Sequence, residues 1–169
     1  MTTTKITDKT EPVPYFGLFQ MAAEHPATRR EMSMGGGAVP GPTPETAEYW
    51  QGTREGQLRI QKCNACERFY FYPRPFCRFC SSREVTWHVA SGRGQLISYV
   101  INYRPLPPAS STEPQIIALV ELDEGPRLMT NLIGVDPDPA LLPLDARVEV
   151  DFEPRGDQMV PVFRMDTAA

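Results

Sequence analysis

The sequence predicts a mainly β protein in which a helical N-terminal extension precedes a small four-cysteine unit and a C-terminal β-barrel. Two observations carry this prediction. All four cysteines fall in two matched Cys-x-x-Cys motifs, at residues 63–66 and 77–80. After the second motif, short strand-like runs follow one another, separated by turn residues and without an intervening helical pattern. Five or six such strands favour a small closed barrel.

Composition and length indicate a globular chain. With 169 residues and 41% hydrophobic content, it can bury a core. No stretch approaches the roughly 20 apolar residues of a membrane span, and the first 15 residues lack the apolar run of a signal peptide. We therefore expect a cytoplasmic protein in a reducing compartment, with no membrane as partner.

The first 43 residues have the composition of an extension or arm. They carry five prolines and the run Gly35-Gly36-Gly37, which are typical of irregular chain. Residues 15–23 are too apolar to be left in water. We expect this segment to dock, either as a short helix on its own domain or as an arm around a partner subunit.

A helix is expected directly after the extension. Thr43 is suited to the N-cap, and Pro44 is suited to the first helical position. The helix should run to about Arg54 and stop at Gly56. Trp50 lies on the face that meets the following domain, and we interpret it as a core anchor rather than a ligand contact.

The spacing of the cysteines is typical of a zinc ribbon. Each motif turns two sulfurs toward one ion, so Cys63, Cys66, Cys77 and Cys80 together close a tetrahedral shell with no position left for water or substrate. A redox motif needs only one such pair, and a disulfide framework needs an oxidising compartment. One structural zinc ion per chain is therefore favoured over both.

A β-hairpin is predicted to carry one motif at each end, from alternating residues before Cys63 and around Phe69. A hairpin of this size buries little apolar surface, so metal binding should supply much of its folding free energy. If every thiol is a ligand, no cysteine remains to act as a nucleophile. The predicted domains are residues 44–84 for helix and ribbon and residues 85–169 for the barrel.

The strands of the barrel domain are expected in six runs. These are residues 85–89, 95–103, 115–122, 127–133, 146–152 and 159–164. Charge is unevenly distributed along the same part of the chain. Residues 54–94 hold eight basic side chains against three acidic ones, whereas residues 113–169 hold four against twelve. The basic part suits an anionic ligand or partner surface, although scattered solvated charge has the same composition.

The order of these elements resembles that of a known family. The residues that carry the resemblance are Tyr49-Trp50, Leu58, Gln61-Lys62-Cys63-Asn64-Ala65-Cys66, Tyr72-Pro73-Arg74, Cys77-Arg78-Phe79-Cys80, Ser91-Gly92-Arg93-Gly94, the run 117–125, and Val148-Glu149-Val150. In this order they resemble the DUF35 proteins, which join an N-terminal helix, a rubredoxin-like zinc ribbon and an OB-fold. The chain departs from the family at Glu67, where a glycine is often found.

The resemblance implies a non-catalytic companion subunit of a thiolase-superfamily enzyme acting on coenzyme A thioesters. The partner would be a thiolase or a retro-aldolase, and it would carry the active site. An α2β2 assembly is the expected stoichiometry, because thiolase-like subunits pair through two-fold interfaces. Enzyme activity by this chain alone is not expected.

With the active site on the partner, the functions left for this chain are assembly of the complex and positioning of the substrate. Candidate contacts to the partner or to acyl-CoA are Arg68, Arg74, Arg78, Arg93, Phe71 and Tyr72. Arginine suits phosphate because its planar fork donates two hydrogen bonds at once. A solvated or interface arginine without a ligand is the commoner case for each of these residues.

Two other functions are weighed against this one. Zinc ribbons and OB-folds also bind single-stranded nucleic acid by stacking bases on aromatic rings beside a basic groove. A pI of about 5.2 and the acidic barrel half argue against that partner. In a purely structural function, the chain stabilises its partner without touching the substrate.

Overall fold

The computed structural model describes residues 39–105 and 113–166. The apolar run at residues 15–23 and nearly all of the predicted extension lie outside the described residues, as do residues 106–112 and 167–169. Among the helices described, none has the length and apolar character needed to cross a membrane.

Helix α1 spans Ala47–Arg54 and begins later than the sequence predicts. The residues before it form a separate turn. In this turn the Thr46 N–H donates to the Thr43 carbonyl at 3.0 Å, and the Thr43 N–H donates to Thr46 Oγ1 at 2.9 Å. This turn moves the N-cap from Thr43 to Thr46. The predicted end is confirmed, since Gly56 follows with a φ of 73°, a left-handed conformation that favours glycine.

A three-stranded antiparallel sheet forms the ribbon. Strand β1 (Arg59–Cys63) lies between β2 (Phe69–Tyr70) and β3 (Val85–Val89). Strands β1 and β2 make the predicted hairpin. The expectation that residues 85–89 open the barrel is wrong, because β3 pairs with β1 along its whole length. Alternation along a sequence predicts a strand but does not predict which strand it pairs with. The short β2 occupies only one edge of β1, and β3 pairs with the other edge.

Five further strands close into a barrel in the order β4-β5-β6-β8-β7. Their bounds are β4 Arg93–Asn102, β5 Gln115–Leu122, β6 Arg127–Leu132, β7 Arg147–Arg155 and β8 Gln158–Met165. The β6–β8 pair is parallel and joins Leu132 to Phe163, whereas the other pairs are antiparallel. The 3-10 helix Pro139–Leu141 lies between β6 and β7. The predicted mainly β fold with a small closed barrel is confirmed.

One buried cluster joins the helix, the ribbon and the barrel. Along β5, buried residues alternate with half-buried ones, so one face of this strand fills the barrel. Trp50 of α1 and Ile60 of β1 belong to the same cluster as Val120 and Phe163 of the barrel. The interpretation of Trp50 as a core anchor is therefore confirmed, and packing fixes the ribbon against the barrel.

Glycine is required where β4 passes between its two neighbours. Gly94 pairs with Leu122 of β5 and with Val148 of β7. A Cβ atom at this position would overlap the Glu121 carbonyl oxygen and lie 3.0 Å from the Val120 side chain. The close approach of the strands therefore excludes a larger residue.

Candidate metal centre and the surface around it

The ribbon strands bring the two Cys-x-x-Cys motifs together through equivalent turns. The first motif starts on the last residue of β1, and the second lies in the connection from β2 to β3. The Cys63 N–H donates to the Arg68 carbonyl at 3.0 Å, and the Cys77 N–H donates to the Ser82 carbonyl at 2.8 Å. Matching backbone bonds thus close both turns and direct each pair of sulfurs to the same place.

The distances between the sulfurs fit a zinc ion. Cys63 Sγ lies 3.6 Å from Cys80 Sγ, and Cys66 Sγ lies 3.7 Å from Cys77 Sγ. All four sulfurs lie within 4.8 Å of one another. A zinc ion about 2.3 Å from each of four tetrahedral sulfurs sets the distance between sulfurs at about 3.8 Å. The cluster therefore needs little adjustment to bind zinc.

The pKa values of Cys77 and Cys80 are shifted in opposite directions. Although the Ser82 N–H favours the Cys80 thiolate, contact with the Cys63 thiol and burial raise the pKa of Cys80 to about 12. Burial opposes ionisation of Cys77, yet the N–H groups of Phe79 and Cys80 help to lower its pKa to about 7. A divalent cation stabilises four thiolates at once, because its positive charge offsets the repulsion between the negative sulfurs.

The residue after each motif adopts a left-handed backbone conformation. Glu67 has a φ of 59° and Ser81 a φ of 61°. Glycine adopts this conformation without steric cost, whereas a residue with a Cβ pays roughly 1–2 kcal/mol. Glu67 therefore adopts the left-handed conformation that glycine would adopt here, and the surrounding turn holds the strain.

Little apolar surface supports the metal centre. Cys63 and Cys77 are fully buried, and Tyr70 is the third buried member of this small cluster, against which Val85 packs. The burial of so small a core cannot by itself offset the conformational entropy that is lost when both turns become ordered. The four cysteines therefore form a single structural zinc site, and it uses every cysteine of the chain.

The structure brings two of the four candidate arginines together. Arg68 and Arg78 both lie over the ring of Phe79, with their guanidinium carbons 5.0 and 5.3 Å from the ring centroid. Arg74 and Arg93 are exposed and have no described contact with that ring. Two guanidinium groups against one aromatic ring form a cationic surface next to the second motif.

The two candidate aromatic residues have different surroundings. The ring of Tyr49 lies 5.5 Å from that of Phe71 and 6.2 Å from that of Tyr72. Phe71 is half-buried against the core, whereas Tyr72 is 46% exposed. Tyr72 is therefore the more accessible of the two to another molecule.

A small cleft separates the ribbon from the start of β6. It has a volume of about 230 Å³. Tyr70, Phe71, Arg78 and Phe79 line it from the ribbon, and Pro126 and Arg127 line it from the barrel. We call it the ribbon–barrel cleft. Sequence reasoning selected Arg78 and Phe71 but missed Arg127, because only the fold brings that residue close to them.

A larger cleft of about 510 Å³ lies at the other end of the β5–β6 hairpin. Its lining includes Glu113, Asn131, Glu153 and Arg155, together with apolar residues of β5 and β6. None of the site residues predicted from the sequence lines it. Its mixed charge indicates no ligand class.

Family profiles match two consecutive parts of the chain. Residues 50–86 match a profile described as "ChsH2, rubredoxin-like zinc ribbon domain", and residues 87–153 match one described as "ChsH2, C-terminal OB-fold domain". The two profiles together span more than half of the chain, in the order in which the ribbon and the barrel occur.

Two curated relatives extend this comparison. The "Probable enoyl-CoA hydratase alpha subunit" of Thermomonospora curvata is 36% identical over 121 residues, which are 71% of this chain and 37% of that protein. This chain thus corresponds to little more than a third of that relative. A "DUF35 domain-containing scaffold protein" of Pyrococcus furiosus is 32% identical over 96 residues, which are 56% of this chain and 69% of that protein.

A solved structure matches the same region. The chain is 34% identical to one chain of a structure described as "Ltp2-ChsH2(DUF35) aldolase", with a TM-score of 0.67. The match covers 75% of this chain and 98% of that chain. From its two matched domains, its DUF35 relative and this structural match, the chain belongs to the DUF35 family.

Proposed function

We propose that this chain is a non-catalytic accessory subunit of a heteromeric, thiolase-superfamily enzyme that acts on acyl-CoA thioesters. The observation that carries the proposal is the convergence of all four cysteines on one site. Thiolase chemistry needs a cysteine nucleophile, and with every thiol committed to zinc this chain has none to offer. The reacting groups therefore belong to the partner, and this chain assists assembly and substrate positioning.

The names of the matched proteins support a subunit function. One relative is named as an alpha subunit of a probable enoyl-CoA hydratase, one as a scaffold protein, and the matched structure pairs Ltp2 with ChsH2 as an aldolase. The names "alpha subunit" and "scaffold protein" denote parts of assemblies. The hydratase and aldolase names denote enzymes, and the hydratase name specifies an acyl-CoA substrate. Because this chain matches little more than a third of the hydratase relative, we transfer the subunit function and not the hydratase activity.

The exposed rings of the ribbon support a protein partner. Tyr72, Phe76 and Phe79 are 46%, 45% and 46% exposed. Large aromatic side chains on so small a unit are typical of an interface, where they become buried on association. In our proposal, Arg68, Arg74, Arg78, Arg93, Phe71 and Tyr72 provide contacts to the partner or to acyl-CoA.

The proposal includes a cytoplasmic location and an α2β2 assembly. Zinc held by four thiolates is stable in a reducing compartment, where disulfides do not form. Two copies of this chain would flank a two-fold pair of thiolase-like subunits.

Co-purification from the native host tests the proposal. The tagged chain is applied to a sizing column, the zinc is quantified, and the co-eluting proteins are identified by mass spectrometry. We expect a stoichiometric thiolase-like subunit and about one zinc ion per copy of this chain, as a closed four-thiolate site requires. A zinc-loaded monomer that shifts single-stranded nucleic acid in a salt-dependent manner contradicts the proposal and favours a binding protein.

A further inference from the structure

The ribbon–barrel cleft has the charge of an anion-binding site. Arg78 and Arg127 both line it, and Arg68 lies over Phe79 at its edge. Among the described residues that line it, none is acidic. Glu121 accepts a hydrogen bond from Arg127 Nε at 2.5 Å, which leaves the terminal nitrogens of that guanidinium without a contact in the described part of the chain. An incoming carboxylate therefore meets the Arg78 guanidinium and the terminal nitrogens of Arg127, whose Nε is already bound by Glu121.

Tyr70 lines the same cleft, but its hydroxyl is not accessible from it. The side chain is 2% exposed, its hydroxyl is fully buried, and it packs with Cys63 and Cys77 of the metal centre. The polar groups that the cleft offers are therefore the two guanidinium groups.

Aromatic side chains strengthen the interaction with the guanidinium groups. Phe71 and Phe79 line the cleft and exclude part of the water around a bound carboxylate. Charge-assisted hydrogen bonds are stronger in such an environment than on an open surface. The Phe79 ring also holds the Arg78 guanidinium, which reduces the entropy that Arg78 loses on binding.

The volume of the cleft limits the size of the group that can bind in it. Pockets that enclose a drug-sized ligand measure about 300–1,000 Å³. At about 230 Å³ the ribbon–barrel cleft is smaller than that range. A single side chain fits it, in the way that one anchoring residue fills a pocket at a protein interface.

We propose that the ribbon–barrel cleft is the anchoring site for an acidic side chain of the partner subunit, held between Arg78 and Arg127. The inference rests on the proposed function and specifies which surface of this chain docks and what chemistry it recognises. Phe76 and Tyr72 are 45% and 46% exposed and are available for further apolar contacts with the partner.

The test measures the Kd between the full-length chain and the thiolase-like subunit recovered by co-purification, by isothermal titration calorimetry. The double variant Arg78→Glu/Arg127→Glu reverses both charges at exposed positions. We expect it to raise the Kd at least about 30-fold, as loss of a desolvated charge pair does at interfaces. The control Arg104→Glu makes one of the same two replacements at the other end of the β5–β6 hairpin, which is half of the charge change, and should stay within about twofold. Zinc content and the thermal melting curve confirm that each variant is folded.

A second experiment identifies the occupant directly. A photoreactive benzophenone amino acid at position 79 is cross-linked in the complex, and we expect the linked partner peptide to contain an aspartate or glutamate. Replacing that acidic residue of the partner with lysine should restore binding to Arg78→Glu/Arg127→Glu.

The outcomes separate the two proposals. A wild-type Kd for the double variant, or cross-links confined to peptides without acidic residues, overturns the cleft proposal and leaves the proposed function intact. Coenzyme A that binds wild type but not the double variant, with no change in partner Kd, also overturns it in favour of a phosphate site. If no thiolase-like subunit co-purifies, the proposed function fails, and the cleft proposal fails with it.

Discussion

Replacing Cys63 with serine removes one zinc ligand while keeping the size of the side chain. Cys63 is fully buried, and its sulfur lies 3.6 Å from that of Cys80. Structural zinc sites contribute about 10–16 kcal/mol, so an equal share for each of four ligands is about 3 kcal/mol. The zinc Kd of Cys63→Ser should therefore rise by more than about a hundredfold.

Two assays follow this change. Competition with a chromogenic chelator gives the zinc Kd, and hydrogen exchange by mass spectrometry reports which amides lose protection. We expect the amides of Cys63 and Cys77 to exchange rapidly, because their bonds to Arg68 and Ser82 close the two turns. Peptides of β5 should keep their protection, since that strand fills the barrel core.

Val85→Ala is the matched control. Val85 packs against the same small cluster but offers no ligand, so its loss should cost about 1 kcal/mol of packing and leave the zinc Kd within about threefold. The reasoning is refuted if Cys63→Ser binds zinc as tightly as wild type, or if both variants weaken zinc binding equally.

Three further changes test the fold. Gly94→Ala should lower the free energy of unfolding by about 1–3 kcal/mol in urea titrations, because the new Cβ overlaps the Glu121 carbonyl oxygen; an unchanged midpoint contradicts this packing. Trp50→Ala should cost about 3–5 kcal/mol and lower the melting temperature, because its ring fills the cluster shared by helix and barrel. Zinc content should stay at one ion per chain, and a loss of zinc would show that Trp50 supports the metal centre directly. Hydrogen bonds from Arg147 hold the pKa of Asp123 below its usual range, so this pair stabilises the fold above about pH 3.9 and the stabilisation is lost as the pH falls further. Arg147→Gln should therefore lose less stability than wild type between pH 4 and pH 2, and identical pH profiles in urea titrations would show that the pair does not contribute.

Features set by local pattern could be predicted from the sequence. The four zinc ligands follow from the spacing of the two motifs, because a turn of fixed length places both sulfurs of a motif on one side. The barrel strands from β4 to β8 follow from alternation and turn residues. Trp50 was recognised as a core residue because it lies on the inward face of a short helix.

Features set by contacts distant in sequence could not be predicted. Strand β3 reads as a strand in either domain, and only its pairing with β1 assigns it to the ribbon sheet. The start of α1 depends on a bond between Thr43 and Thr46 that competes with the helical cap. Arg127 joins Arg78 at the ribbon–barrel cleft because the β5–β6 hairpin folds back toward the ribbon.

Reconstituted turnover tests the central claim most directly. Purified zinc-loaded chain, purified thiolase-like subunit and their mixture are each assayed for thiolysis and for retro-aldol cleavage of an acyl-CoA thioester, while native mass spectrometry reports the complex. The account predicts a stoichiometric complex that turns over substrate and no turnover by this chain alone. Turnover by this chain without a partner, or full activity of the partner with no complex formed, would contradict it.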